Sequence, residues 1–274
     1  MNVRGILLKE KTLPVSDVLS IVSAVCSSTR ERVLASIDDQ LNEPHLEEIE
    51  KCIEERKEGK PLAYITHIKE FYSQDFFVDG NVLIPRPETE MLVEEALRII
   101  QEHEDITKVL DMGTGSGVIG LTVSGRTSKK VLCVDVSQKA LDTARMNAAK
   151  TNARVDFLCS NLFDGIKAGT RFDMVLTNLP YVSDSEWDGL MKDVKDFEPR
   201  LALSGGDDGM EIYREFAQCV GSYINPNGHV LCEIGGYHQA HTLKYLLENS
   251  GFDTLIKNDY AGIERIVIAQ WTNS

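Results

Sequence analysis

The chain has 274 residues, 42% hydrophobic and 26% charged, an ordinary globular composition at a length that suits two compact domains better than one. Its 43 acidic and 29 basic side chains leave a formal charge of −14, which repels phosphate backbones and disfavours a broad nucleic-acid footprint. The six cysteines, Cys26, Cys52, Cys133, Cys159, Cys219 and Cys232, are too far apart for zinc or dithiol pairs, so metal chemistry is not expected and a reducing cytoplasm is.

Arg4, Lys9, Glu10, Lys11 and Asp17 interrupt the first 25 residues, which therefore read neither as a secretory leader nor as a membrane span. From Pro14 to about Ile65 the spacing is helical. Val15, Val18, Leu19, Ile21, Val22 and Val25 make one apolar face, and Leu46, Ile49 and Ile53 make another. The run HLEEIEKCIEERKEGK carries charges four apart that support an exposed helix face, and Gly59 with Pro61 stops it. Residues 1–68 are expected to form a small helical domain.

Phe71, Tyr72, Phe76, Phe77, Val78 and Val82, punctuated by Asp79-Gly80-Asn81, predict a short hairpin within a linker over residues 69–87. The segment IPRPETE follows, then a helix from about Glu88 to Glu104. From Lys108 onward apolar runs alternate with helical segments, the pattern of an open, mostly parallel sheet covered on both faces. The expected strands are KVLDMG, KVLCVDV, RVDFLCS, FDMVLTN, HVLCEIG, DTLIKN and ERIVIAQW. Cys133, Cys159 and Cys232 fall in these runs and are expected to behave as small buried hydrophobes. No helix separates the last two strands, so they should pair as an antiparallel edge hairpin. Residues 88–274 thus form the second expected domain.

The first strand of that sheet leads into Asp111-Met112-Gly113-Thr114-Gly115-Ser116-Gly117, and a helix begins near Val118. Glycines there permit a tight strand-to-helix turn and a close approach of backbone amides to a ligand. The second strand ends in Asp135, where a carboxylate can accept hydrogen bonds from two ribose hydroxyls. Two cofactor classes fit. A methyl donor would present a carboxylate to the turn amides and the helix N-terminus. A dinucleotide would present a pyrophosphate, and Gly115, Gly117 and Gly120 also satisfy G-x-G-x-x-G. Asp111, whose charge would oppose a pyrophosphate, and the edge hairpin favour the former.

The fourth strand delivers Asn178-Leu179-Pro180-Tyr181 to the carboxyl edge of the sheet, where open α/β folds bind ligands. An amide or exocyclic amine is a poor nucleophile because its lone pair is delocalised. Two acceptors, the Asn178 side-chain oxygen and the main-chain carbonyl of Leu179, would fix such an NH₂ and favour electron density on nitrogen. Pro180 would stiffen the turn, and Tyr181 would pack on a planar substrate group.

GKPLAYI at 59–65, VLIPRPETE at 82–90, DMGTGSG at 111–117, NLPY at 178–181, EPRLALSGGDDGMEIYR at 198–214 and EIGGYHQ at 233–239 together resemble the HemK or PrmC type release-factor glutamine methyltransferases. The resemblance implies an α/β fold with a Rossmann-like seven-stranded methyltransferase sheet, an antiparallel edge hairpin and a small helical N-terminal domain that docks a partner. It implies S-adenosyl-L-methionine as cofactor, bound by Gly113, Thr114, Gly115, Ser116, Gly117 and Asp135, with Asn161 and Leu162 near the adenine and Asn178 bordering the cofactor. Asn178, Leu179, Pro180 and Tyr181 would hold the glutamine of a Gly-Gly-Gln loop, with Asn178, Pro180 and Tyr181 catalytic. Arg86 and Glu88 could approach the substrate loop or the cofactor mouth; the plainer reading is an interdomain ion pair. The chain is expected to be a monomer whose partner is a peptide chain release factor, with no membrane and no nucleic acid.

Two residues depart from the family pattern. Leu179 replaces a usual proline, and Asn161 an aspartate that is often present. Asn-Leu-Pro-Tyr is more like the ribosomal-RNA adenine dimethyltransferases, so an adenine amino-methyltransferase acting on RNA or DNA stands as the alternative. A dinucleotide-dependent oxidoreductase, or a fold that keeps the cofactor only to bind partners, ranks behind it.

Overall fold

The computed structural model describes residues 1–272, which cluster into two compact units: Met1–Ile68 with Met191–Phe197, and Lys69–Leu190 with the chain from Glu198 onward. The first unit is built from helices α1 (Val3–Lys9), α2 (Val15–Val25), α3 (Arg30–Ala35), α4 (Glu43–Lys57) and α5 (Leu62–Thr66). Asn42 starts α4 by accepting the His45 amide at 2.9 Å, with Pro44 in the first turn. Val18, Ile21 and Val22 of α2 then meet Ile49, Cys52 and Ile53 of α4 in one core, the two apolar faces expected from the spacing. Helix α1 lies ahead of the periodic stretch. Its seven residues bury only Val3 and Ile6, too few to generate a helical period in the sequence.

In the second unit β1 (Ile68–Phe71) and β2 (Gln74–Phe77) form the hairpin. Its reversal falls at Tyr72-Ser73, both with positive φ (51° and 59°), the type I′ geometry that matches strand twist. Asp79-Gly80-Asn81 instead forms the following loop, where Asp79 accepts the Asn81 backbone amide at 3.0 Å. The chain continues through α6 (Pro87–Glu102), β3 (Lys108–Met112), α7 (Val118–Thr127), β4 (Lys130–Asp135), α8 (Gln138–Ala148), β5 (Val155–Cys159), β6 (Phe172–Thr177) and α9 (Asp184–Trp187). After α10 (Lys192–Phe197), which belongs to the first unit, come α11 (Glu211–Val220), β7 (Ile224–Glu233), α12 (Tyr237–Asn249), β8 (Phe252–Asn258) and β9 (Glu264–Trp271).

Strands β3 to β9 make one sheet in the order β5-β4-β3-β6-β7-β9-β8. Its first five strands are parallel, and β9 runs antiparallel to both β7 and β8. The period of two along each strand feeds two cores. Val109, Cys133, Leu176, Leu231 and Ile268 face α6 and α7, whereas Leu110, Val134, Val175, Val230 and Val267 face α11 and α12. Each such buried aliphatic side chain stabilises the fold by about 1.5–3 kcal/mol.

Two sequence expectations need correction here. Cys159 is exposed, because β5 is the edge of the sheet, while Cys133 and Cys232 are buried as expected. Strand β7 starts earlier than HVLCEIG, at Ile224, with a register irregularity against β6 between Phe172 and Met174 that hides it from pattern reading. Among the described residues no helix is long and apolar enough to cross a membrane.

Candidate active site

The carboxyl ends of the parallel strands open into a cavity of about 390 Å³, within the range of cofactor pockets. Its lining includes Gly113 to Ser116, Asp135, Asn161, Leu162, Asn178, Leu179, Pro180 and Arg86. Gly117, Tyr181 and Glu88 are not part of that lining.

Gly113, Gly115 and Gly117 all take positive φ (74°, 54° and 86°), so the chain can leave β3 and enter α7 within one turn. Asp111 is fully buried beneath this turn. Its Oδ2 accepts the Thr114 hydroxyl at 2.5 Å and the Gly120 amide at 2.9 Å, which ties turn to helix. Burial pushes its carboxyl up to about 6 despite those two bonds. At the end of β4, Asp135 accepts the Gly115 amide on Oδ2 at 2.9 Å and the Ser137 amide on Oδ1 at 2.8 Å. Burial raises its carboxyl and the backbone donors oppose the rise. A carboxylate has about four lone-pair sites, so Asp135 keeps capacity for two hydroxyls in the cavity.

The turn amides are more occupied than the sequence suggests. Those of Gly113 and Thr114 donate to the Val134 carbonyl at 2.8 and 2.9 Å, that of Gly115 to Asp135, and that of Gly117 to Thr114 at 2.8 Å. An anion in the cavity would meet the first turn of α7 instead, where Ser116, Val118 and Ile119 line the wall.

On the far side, Leu162 adopts a left-handed φ of 41°, and its carbonyl accepts the Ser160 hydroxyl at 3.1 Å. The Asn161 amide donates to Glu215 Oε1 at 3.5 Å, and both residues line the cavity. An aspartate at 161 would oppose Glu215 with like charge. The asparagine removes that repulsion and leaves its oxygen as an acceptor, which accounts for one of the two sequence departures.

The Asn178 to Tyr181 segment is clamped from several directions. Asn178 Nδ2 donates to the Thr89 hydroxyl at 3.3 Å. The Leu179 amide donates to the Tyr213 hydroxyl at 3.3 Å, and that hydroxyl donates to the Glu233 carbonyl. A proline at 179 would forgo this anchor, so residue 179 contributes more than a carbonyl. The Tyr181 carbonyl accepts Gln239 Nε2 at 2.7 Å. Gly209 lies so close that a Cβ there would stand 2.3 Å from the same carbonyl oxygen, which explains why this position in EPRLALSGGDDGM has none. Tyr181 packs into the protein beside Gly235, and burial raises its phenol.

Arg86 lines the cavity and pairs with the buried Glu198 at 2.6 Å, whose other oxygen accepts the Ile84 amide at 3.1 Å. Both partners belong to the second unit, so the pair is not interdomain. Glu233, missed by sequence reasoning, closes the site. It ends β7 at 1% exposure, with the Thr89 hydroxyl and the Asn178 amide close enough to its carboxyl to oppose the rise that burial causes. Its mark in the sequence, an acid terminating the apolar run HVLCE, is one that any strand end can carry. Among the described residues, no group of three or more His, Cys, Asp or Glu is arranged to hold a metal ion.

The chain matches the Methyltransferase small domain family over residues 89–194 and the PrmC N-terminal domain family over residues 6–66. It is 41% identical over 223 residues to the release factor glutamine methyltransferase of Koribacter versatilis, spanning 81% of this chain and 78% of that one. Against the release factor glutamine methyltransferase of Clostridium acetobutylicum it is 37% identical over 254 residues, 91% of this chain and 88% of that one. Among solved structures it is similar to a 16S rRNA N2-guanine methyltransferase of Thermus thermophilus in complex with AdoMet and guanosine. That likeness has a TM-score of 0.55 at 17% identity, covers 74% of this chain and 49% of the other, and is one of fold alone.

Proposed function

We propose that this chain, which belongs to the release factor glutamine methyltransferase family, transfers a methyl group from S-adenosyl-L-methionine to the side-chain amide nitrogen of the glutamine in a release factor's Gly-Gly-Gln motif. The observation that carries the reading is the juxtaposition of Asn178 and the Leu179 main chain at the wall of the cavity that also holds Asp135 and the glycine turn. The residues present fit the cofactor: Asp135 offers acceptors for a ribose diol, the first turn of α7 would receive an anion, and Asn161 with Leu162 would border the adenine.

When bound, the cofactor supplies an electrophilic methyl group on a positively charged sulfur. The protein's task is then to orient a weak nucleophile. Asn178 Oδ1 and the Leu179 carbonyl accept the two amide hydrogens, which aligns the NH₂ and concentrates electron density on nitrogen. Tyr181, anchored through Gln239, holds the loop that presents these acceptors rather than entering the cavity itself. Such catalysis is positioning and electrostatics, with no covalent protein intermediate.

In this reading residues 1–68 dock the release factor, residues 69–87 link the two domains, and residues 88–274 perform the chemistry in the cytoplasm. The dinucleotide alternative fails on family membership and on the β8–β9 edge hairpin. The test is mass spectrometry of a release factor after incubation with the protein and S-adenosyl-L-methionine. A single methyl on the Gly-Gly-Gln glutamine is expected; an unmodified factor alongside methylated RNA would transfer the assignment to adenine.

A further inference from the structure

Glu233 is buried at the carboxyl edge of the sheet, and its Oε2 has no hydrogen-bond partner among the described residues. The Thr89 hydroxyl and the Asn178 amide stand beside its carboxyl and favour its charged form. A carboxylate only accepts, so it is the nitrogen of Asn178 that must face it. The same nitrogen donates to Thr89 Oγ1 at 3.3 Å, which leaves the Thr89 hydrogen for Glu233. Through its main chain Glu233 also accepts the Tyr213 hydroxyl that holds the Leu179 amide. One residue therefore anchors both proposed acceptors of the substrate NH₂.

The geometry points to Glu233 as a positioning residue that selects one of the two flip states of the Asn178 amide, the state with Oδ1 toward the cavity and able to accept from the substrate. This inference rests on the methyl-transfer reading above. An Asn178 flipped by half a turn would present NH₂ to NH₂, and the substrate amide would lose an acceptor. The neighbouring charges set the conditions. Burial pushes the Glu233 carboxyl up to about 7, and Glu88 on α6 adds to the rise; Thr89, Asn178 and Arg265 on β9 oppose it, while Tyr181 and Tyr213 face it as neutral phenols. Above that pH the carboxylate enforces the productive flip. Below it the protonated acid can donate to Asn178 Oδ1 and stabilise the wrong one.

The test compares wild type with Glu233→Gln and Thr89→Val on a release factor across pH 6 to 9. Wild-type kcat is expected to rise through about pH 7 and then level off. In Glu233→Gln the rise should vanish and kcat at pH 8 should fall about tenfold or more, with KM for the release factor and the calorimetric affinity for S-adenosyl-L-methionine within about threefold of wild type. A merely structural role predicts the reverse pattern, a lowered melting temperature with an intact pH profile. Glu233→Gln should melt no lower than wild type at pH 8, because it removes a buried charge. Thr89→Val should lose a few-fold in kcat, and the double variant should lose less than the product of the two single effects. If wild type transfers methyl and Glu233→Gln keeps both its kcat and its pH rise, the positioning role is wrong while the methyl-transfer reading stands. Absence of transfer by wild type at every pH overturns both.

Discussion

At the glycine turn the bonds to the two carboxylates span 20 positions or fewer: Asp111 reaches Thr114 and Gly120, and Asp135 reaches Gly115 and Ser137. At the substrate end they are long. Asn178 meets Thr89 across 89 positions, Leu179 meets Tyr213 across 34, and Tyr181 meets Gln239 across 58. The first end is a local turn that β3, β4 and α7 assemble by themselves. The second exists only once α6, α11, α12 and β7 have all packed. Affinity for the cofactor should consequently be robust to changes that ruin the placement of the nucleophile.

The largest effect is expected from Asn178→Ala. Loss of one acceptor misplaces the substrate amide, and turnover should fall by about 10²-fold or more with cofactor affinity nearly intact. Turnover within about twofold of wild type would remove Asn178 from the mechanism. Asp135→Ala probes the other end. It should weaken S-adenosyl-L-methionine binding by about 1.5–3 kcal/mol, measured by calorimetry, as expected for a lost charge-assisted hydrogen bond. If it instead left binding unchanged and lowered kcat, the division between the two ends would be wrong.

Leu179→Pro is a subtler test. The variant keeps the carbonyl but loses the amide that donates to Tyr213, so stability should drop by about 0.5–1.5 kcal/mol in denaturant titration while kcat stays within a few-fold. A collapse of kcat to the level of Asn178→Ala would make the Tyr213 anchor, rather than the carbonyl, the determinant. Asp111→Asn should act on stability rather than on turnover. The carboxyl of Asp111 titrates near 6 in the folded protein against 3.8 ordinarily, so the folded state binds more protons between those values and stability falls as pH rises through them. The melting temperature of Asp111→Asn relative to wild type should therefore climb from about pH 4 to about pH 6 and then level off. A flat difference across that window would show that the carboxyl is not perturbed.

The same contrast explains what could be read from the sequence. The glycine turn, Asp135 and the alternation of strands with helices were legible because each shows as a local pattern of residue types. The edge hairpin was legible from two strands with no helix between them. Glu233, Thr89 and Tyr213 were not, since nothing local distinguishes an acid at the end of HVLCE from one at any strand end, and only folding brings them beside Asn178. The occupied amides of the turn were missed for a related reason: the Val134 carbonyl that accepts two of them belongs to the neighbouring strand. The hairpin reversal was misplaced because Asp79-Gly80-Asn81 is the stronger turn signal, whereas Tyr72 and Ser73 are rare in left-handed backbone. Glu90, whose Oε1 accepts the Tyr72 amide at 2.9 Å, helps hold them there.

The strand order also governs the timing of synthesis. Strand β9 is made after β8, yet it lies between β8 and β7, so an emerging chain must hold an interior slot open until its late residues arrive. A ribosome that stalls while β9 is still in its tunnel leaves β7 with an unpaired edge at Leu231 and Cys232 and β8 with no partner strand. Exposed edges of this kind are templates for intermolecular pairing. Slow or interrupted translation through β9 should therefore divert the nascent chain into aggregates, and a chaperone that shields strand edges should suppress this loss.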